Sequence, residues 1–329
     1  MVAEERRRAL VTGISGQDGS FLTELLLEKG YEVTGIARGT PQRSLGCSQH
    51  LREQVKLLWC DLLDTDGLQA AIGHTRPHEL YHLASPSFVP TSWEQPLHTL
   101  ETIAGSTAAI LEAVVRIDPR TRVFVASSLA MFGDARESPQ REDTCCRPSN
   151  PYAIAKLTAH QLVGAMRGRD GLFGCSGILA NHESERRSEW FVTRKITRGA
   201  AAIKLGLTDE LYLGDLDAVR DWSFAGDIMR GAWLMLQQDS PRDYVLASGV
   251  GHTVRQFAQV AFSCLDLQAE RYIRVDATLV RPADPTPSVG DPSRARRELG
   301  WTPQLSFEDL IERMVHADLE ELRAQQGGG

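Results

Sequence analysis

At 329 residues, with 42% hydrophobic and 24% charged side chains, the chain has an ordinary globular composition and length for about two domains of ~150 residues each. Its formal net charge of -7 argues against a general affinity for nucleic acid, because polyanion binders carry a basic excess; any phosphate must be met by a local site. Met1 to Arg8 is no secretory signal and no stretch is long and apolar enough to span a membrane, so with six cysteines in no zinc-ligand spacing a cytoplasmic protein with reduced thiols is expected.

Arg8 to Thr12 reads as a buried strand, followed by the turn Gly13-Ile14-Ser15-Gly16-Gln17-Asp18-Gly19 and a helix in which Phe21, Leu22, Leu25 and Leu26 recur until Lys29-Gly30 stops it. Tyr31 to Ile36 is the next strand. Gly39 to His50, rich in Gly, Pro, Ser and Gln, reads as an exposed loop within reach of a cofactor or a neighbouring subunit. Val55 to Cys60, Glu79 to Leu83 and Arg122 to Ala126 are three further strands, with helical patterns between most of them. Strands alternating with helices imply an α/β fold, a parallel sheet wound on both faces.

Beyond about residue 176 the alternation fades into a helix from Glu189 to Lys204, a strand near Leu211, a helix from Asp227 to Gln238, a Pro-rich stretch from Arg281 to Pro292 and an amphipathic segment from Ser306 to Ala324. The expected division is a Rossmann-type cofactor domain over residues 1–176, also receiving about 210–250, and a smaller interleaved substrate lobe from 177–209 and 251–329.

The strand, glycine turn and helix at the start form the context in which glycines let a backbone approach a pyrophosphate at a helix N-terminus, which assigns Gly13, Gly16, Gln17, Asp18 and Gly19 to a dinucleotide. At the end of the second strand stands Arg38, with no acidic residue nearby, which favours the 2'-phosphate of NADP over the ribose hydroxyl of NAD. Asp61, after the third strand, suits either an adenine amino group or a helix cap. Tyr152 and Lys156 lie four apart on one helix face, about two dozen positions after Ser127-Ser128. An ammonium beside a phenol of ordinary pKa ~10 favours the ionised form, making Tyr152 a usable base with Lys156 beside it.

At this level of detail the chain resembles the extended short-chain dehydrogenases, and within them the GDP-mannose 4,6-dehydratases. The resemblance rests on Thr12 to Gly19, Glu24 to Tyr31, Gly177 to Ser184, Phe191 to Thr197 and Arg220-Asp221-Trp222. It implies a nucleotide-sugar enzyme, with Lys156, His182 and Arg187 as cofactor contacts and Leu62, Leu83 and Ala84 beside them. It implies nucleotide-sugar contacts at Ser87, Asn181, Val192, Lys195, Arg220 and Arg281, where arginines suit a diphosphate and a lysine suits a guanine oxygen. A homodimer or homotetramer is expected, although Gly39 stands where the family has a second arginine that reaches a neighbouring subunit's cofactor.

The departure from the family lies at Ser127-Ser128-Leu129-Ala130-Met131-Phe132-Gly133, where the dehydratases carry Ser-Thr-Ser-Glu before the Tyr/Phe-Gly pair. Ser128 replaces the threonine hydroxyl, but Ala130 cannot replace a glutamate expected to take the C5 proton and help water leave from C6. Losing a positioned acid-base group costs ~100- to 10,000-fold. The sequence therefore points first to an NADP-dependent 4-keto-6-deoxyhexose reductase or 4-epimerase acting on a GDP-hexose. The alternatives are a true 4,6-dehydratase in which another carboxylate, for instance Glu183, or a water substitutes, and a non-catalytic NADP-binding homologue. His82 and Ser85, where the family has Asn and Ala, are expected to reshape the sugar pocket or the cofactor edge.

Overall fold

The computed structural model describes residues 6–279 and 287–327. Its first half is built from β1 (Arg8–Thr12), α1 (Gln17–Glu28), β2 (Glu32–Ala37), β3 (Lys56–Trp59), α2 (Thr65–Thr75), β4 (Glu79–His82), α3 (Val89–Glu94), α4 (Pro96–Leu100), α5 (Ser106–Ile117), β5 (Arg122–Ala126), α6 (Pro151–Asp170) and β6 (Gly174–Leu179). There follow β7 (Asn181–Glu183), α7 (Val192–Lys204), β8 (Leu211–Leu213), β9 (Val219–Phe224), α8 (Ala225–Leu236), β10 (Tyr244–Leu246), β11 (Gly251–Thr253), α9 (Val254–Ser263), α10 (Ala269–Tyr272), β12 (Ile273–Val275), α11 (Ser293–Leu299) and α12 (Phe307–Gly327).

Seven strands form one sheet in the order β10-β6-β5-β4-β1-β2-β3, and every pairing in it is parallel. Strands buried on both faces read as apolar runs, which is why Ala9, Leu10 and Val11 mark β1 so plainly. On one face Phe21 and Leu22 of α1 pack with Ile228 and Met229 of α8 and with Leu299 and Trp301. Leu68 and Ile72 of α2, Ile110 and Val114 of α5 and Val163 of α6 cover the other. The second lobe has its own core, where α7, α9 and α12 close around Trp222 and Phe257. Its small sheets, β11-β9-β7 and β12-β8, lie outside the main one.

Local chemistry fixes the helix that carries the tyrosine. Asn150 adopts an extended conformation and its side chain accepts from the Ala153 amide at 2.9 Å, while Pro151 opens the helix at a position that needs no amide. The structure corrects two boundaries. The loop expected over Gly39 to His50 folds from Gly46 onward into a 3-10 helix, Gly46–Gln54, because the Cys47 amide reaches the Ser15 carbonyl at 3.1 Å and Leu51 is buried. The helix expected from Glu189 begins at Val192, since Phe191 stays extended as its cap. All six cysteines are free thiols, and no described helix is long and apolar enough to cross a membrane.

Candidate active site

A parallel sheet delivers ligands to the carboxyl ends of its strands, where the strand order reverses. Here a cleft of about 1040 Å³ opens there, running from the glycine turn after β1 to the face of the second lobe. Gly13 has φ +73°, and a Cβ on it would sit 2.9 Å from the Ala84 backbone; one on Gly19 would sit 2.3 Å from the Gly13 carbonyl oxygen. The turn thus lies flush against the end of β4 and the start of α1, and Gly16, Gln17, Asp18 and Gly19 at the N-terminal end of α1 line the cleft. A dinucleotide pyrophosphate fits this cradle. Arg38, Asp61 and Leu62 extend the same wall.

The end of β4 is held by a buried relay. Thr12 Oγ1 accepts from the Leu83 and Ala84 amides, each at 3.2 Å, so its own hydroxyl donates to His82 Nδ1 at 2.8 Å. His82 Nε2 then donates to Ser106 Oγ at 3.0 Å. Burial, with the Lys156 charge nearby, pulls the His82 pKa down to about 3, in keeping with a neutral ring. Of the two expectations for His82, sugar pocket or cofactor edge, the position agrees with the second: it lies behind the cleft wall and, through Thr12, braces the backbone of Leu83 and Ala84.

Tyr152, Ser128 and Lys156 all line the cleft. Lys156 is buried, and its ammonium donates to the Ala126 carbonyl at 2.8 Å and to Ser85 Oγ at 3.1 Å. Desolvation lowers its pKa to about 8. Its Nζ is 5.7 Å from the centre of the Tyr152 ring. Burial raises the pKa of the Tyr152 phenol, while a Ser128 hydrogen bond and the Arg187 charge pull it back. Lys156 thus stays beside the Tyr152 ring while its protons go to Ser85 and Ala126, and the phenol remains above its ordinary value because burial outweighs Ser128 and Arg187.

Across the cleft, β7 brings in charges that are mutually satisfied. His182 faces the Ala180 carbonyl with Nδ1 at 2.7 Å and Asp18 with Nε2 at 2.9 Å. Two acceptors require two N–H donors, so the ring is an imidazolium, and Asp18 raises its pKa against the pull of burial. Asp18 itself is lowered to about 2 against burial, chiefly by the His182 charge. Glu183 accepts from Thr193 Oγ1 at 2.7 Å and faces Arg187 Nε at 3.0 Å. Behind Arg220, the buried Asp221 gathers the amides of Ser248 and Gly249, each at 2.9 Å, and thereby ties the loop after β10 to β9.

Every residue expected to contact the cofactor lines this cleft, as do Ser87, Asn181, Val192 and Arg220. Lys195, one turn along α7, is not among the lining residues, and Arg281 lies outside the described residues. Sequence reasoning passed over Phe88, Trp93 and Trp190, which also line it; in a chain, an exposed aromatic beside a site reads no differently from a core one. Among the described residues no cluster of side chains could hold a metal ion.

The model of the GDP-mannose 4,6 dehydratase family matches residues 10–314. GDP-mannose 4,6 dehydratase 2 of Arabidopsis thaliana is 44% identical over 331 residues, which are 97% of this chain and 88% of that protein. The UDP-glucose 4-epimerase of Thermus thermophilus, solved with NAD, superposes with a TM-score of 0.80 at 26% identity, over 94% of this chain and 98% of that one. RMD from Pseudomonas aeruginosa, solved with NADPH, gives 0.79 at 23%, over 96% and 99%, a likeness of fold. With a dinucleotide cradle, a Ser-Tyr-Lys set and a second lobe facing it across one cleft, the chain is a short-chain dehydrogenase-type enzyme of nucleotide-sugar chemistry and belongs to the GDP-mannose 4,6 dehydratase family.

Proposed function

We propose that the protein uses NADP to move a hydride at C4 of a GDP-hexose, as a 4-keto-6-deoxyhexose reductase or a 4-epimerase, and does not carry out the elimination of water. The observation that carries this reading is Ala130. It lines the cleft, and its side chain packs with Val89 and Leu100 against the cluster that holds Tyr152 and Ile103. A methyl group in hydrocarbon surroundings neither takes nor gives a proton, whereas the redox set beside it is whole.

Bound NADP would supply the hydride acceptor or donor. The glycine turn and the first turn of α1 would hold its pyrophosphate, Arg38 its 2'-phosphate and Lys156 its ribose. Ser128 would hydrogen-bond the C4 oxygen, and Tyr152 would exchange that oxygen's proton. Burial holds the phenol above its ordinary value, and Ser128 and Arg187 offset part of that. Arg220 and Asn181 would meet the nucleotide-sugar diphosphate from the lobe, in a cytoplasmic enzyme that works as a dimer or tetramer.

Two incubations of the purified protein test this, one with GDP-mannose and NADP in deuterated water and one with GDP-4-keto-6-deoxymannose and NADPH, products being resolved by mass spectrometry. The expected result is GDP-mannose of unchanged mass, with reduction or epimerisation of the keto sugar. A product of GDP-mannose lighter by one water overturns the reading. It would favour the second one, a 4,6-dehydratase with a substitute base, which draws support from the 44% identity along the chain and from Asp134, an exposed carboxylate on the same cleft. Tight NADPH binding with no turnover of either sugar would leave a binding protein.

A further inference from the structure

One end of the cleft carries aromatic surface that the hydride chemistry does not use. Trp190 is 78% exposed and Trp93 64%, and both line the cleft together with Phe88. Indole surface left in water at the mouth of a cleft marks a place that a ligand covers. Most of the other rings in this wall are already engaged. The Arg187 guanidinium lies 3.4 Å over the Phe191 ring, and Phe191 meets Phe88 edge to face at 5.9 Å. Trp190 also meets Phe88, with ring centres 6.4 Å apart and the planes inclined by 51°. Phe88 is thus in contact with two rings, and Trp190 presents open indole beside it.

Chain connectivity shows which part of a nucleotide sugar would lie here. Val89, next to Phe88, packs against the cluster that holds Tyr152. Phe88 lines the same cleft as Ser128 and Tyr152, so a hexose whose C4 reaches those two would lie beside this segment. The base is separated from that hexose by a ribose and two phosphates and cannot occupy the same place. A pyranose ring presents axial C–H bonds on one face, and such a face packs on aromatic carbon while its hydroxyls remain free to hydrogen-bond at the rim.

We propose that Phe88 and Trp190 form an aromatic shelf for the C–H face of the hexose, so that Trp190 reports on the sugar and not on the nucleotide. This rests on the reading of the ligand as a GDP-hexose. The test is isothermal titration of GDP-mannose, GDP and NADPH into the parent protein and into Trp190→Ala and Trp190→Phe. Because the Trp190 side chain is exposed, the alanine variant should fold, and its NADPH affinity serves as the control. The expected result is a GDP-mannose Kd about 10-fold higher in Trp190→Ala, as loss of an aromatic contact gives, largely restored in Trp190→Phe, with Kd for GDP and NADPH unchanged. Equal weakening of GDP, or no weakening of GDP-mannose, overturns the shelf and leaves the C4 reading standing. Failure of the parent protein to bind either GDP or GDP-mannose would overturn the reading of the ligand and the shelf with it.

Discussion

Substituting Asp18→Asn tests whether the pair it forms with His182 fastens the cofactor turn to the strand across the cleft. The carboxylate is one-quarter exposed and lies 2.9 Å from the imidazolium. A carboxyl group whose pKa falls from 3.8 to about 2 on folding contributes roughly 2 kcal/mol of stability, all of it present above 3.8 and lost as pH falls toward 2. His182 moves the other way: its pKa is raised above 6.5 in the fold, so its contribution is full below 6.5 and fades as pH rises through the raised value. Since both shifts record one interaction, they are counted once, and its full strength lies between about pH 4 and 6.5. The amide in Asp18→Asn still accepts a hydrogen bond but carries no charge. At pH 6 the variant should melt roughly 3 °C below the parent and bind NADPH more weakly, because the turn it steadies is the proposed pyrophosphate cradle. The gap in melting temperature should narrow between pH 6 and 9. A variant as stable as the parent at pH 6, or a gap constant across that range, would refute the reasoning.

The Lys156 ammonium, with its pKa lowered to about 8, keeps its charge below that value and loses it above, so NADPH affinity measured by cofactor fluorescence should decline as pH rises past 8. Lys156→Met should bind weakly at every pH, and a flat profile in the parent would count against the assignment. Gly13→Ala places a Cβ at φ +73° and 2.9 Å from the Ala84 backbone; the left-handed conformation alone costs ~1 kcal/mol, and NADPH affinity should fall at least about tenfold, which equilibrium titration would check. Asp318, fully buried, accepts from Arg194 Nε and from Thr197 Oγ1, both at 2.6 Å. Asp318→Ala strands the arginine and should cost about 3–5 kcal/mol in urea denaturation, and a loss below about 1 kcal/mol would show that Glu321 and the neighbouring carbonyls hold Arg194 unaided.

Most of the sheet was legible because its strands are continuous apolar runs between turn residues, and the glycine turn because Gly13 and Gly19 meet backbone that no side chain could approach. Tyr152 and Lys156 were legible as a pair on one helix face. The further partner of Lys156 was not, because Ser85 lies 71 positions before it, and spacing along a helix carries no information about a loop after another strand. Which of the two roles open to His82 it takes was hidden for the same reason: its partners are Thr12 and Ser106, far from it in the chain. The start of the 3-10 helix at Gly46 was hidden because it is held by the Ser15 carbonyl, a contact outside its own stretch.

The choice between hydride transfer alone and elimination turns on which carboxylates the cleft can spare. Among the described residues Asp18, Asp61, Asp134, Glu183 and Asp215 line it. Asp18 is given over to His182. Glu183, the substitute first suggested by the sequence, is buried between Thr193 and Arg187; to take a proton from carbon it would have to give up both partners. Asp61 accepts from the Leu63 amide at 3.0 Å, and Asp215 from the Asp217 amide at 2.9 Å, each shaping its own turn. That leaves Asp134, exposed after the turn at Gly133 and positioned by its amide on the Arg147 carbonyl at 3.1 Å. An exposed carboxylate keeps its hydration shell, whereas elimination asks for a group held against the sugar and aimed at it. Hydride transfer asks only for a phenol, a hydroxyl and an ammonium, all of which line the cleft, and this asymmetry is why the proposed chemistry stays at C4.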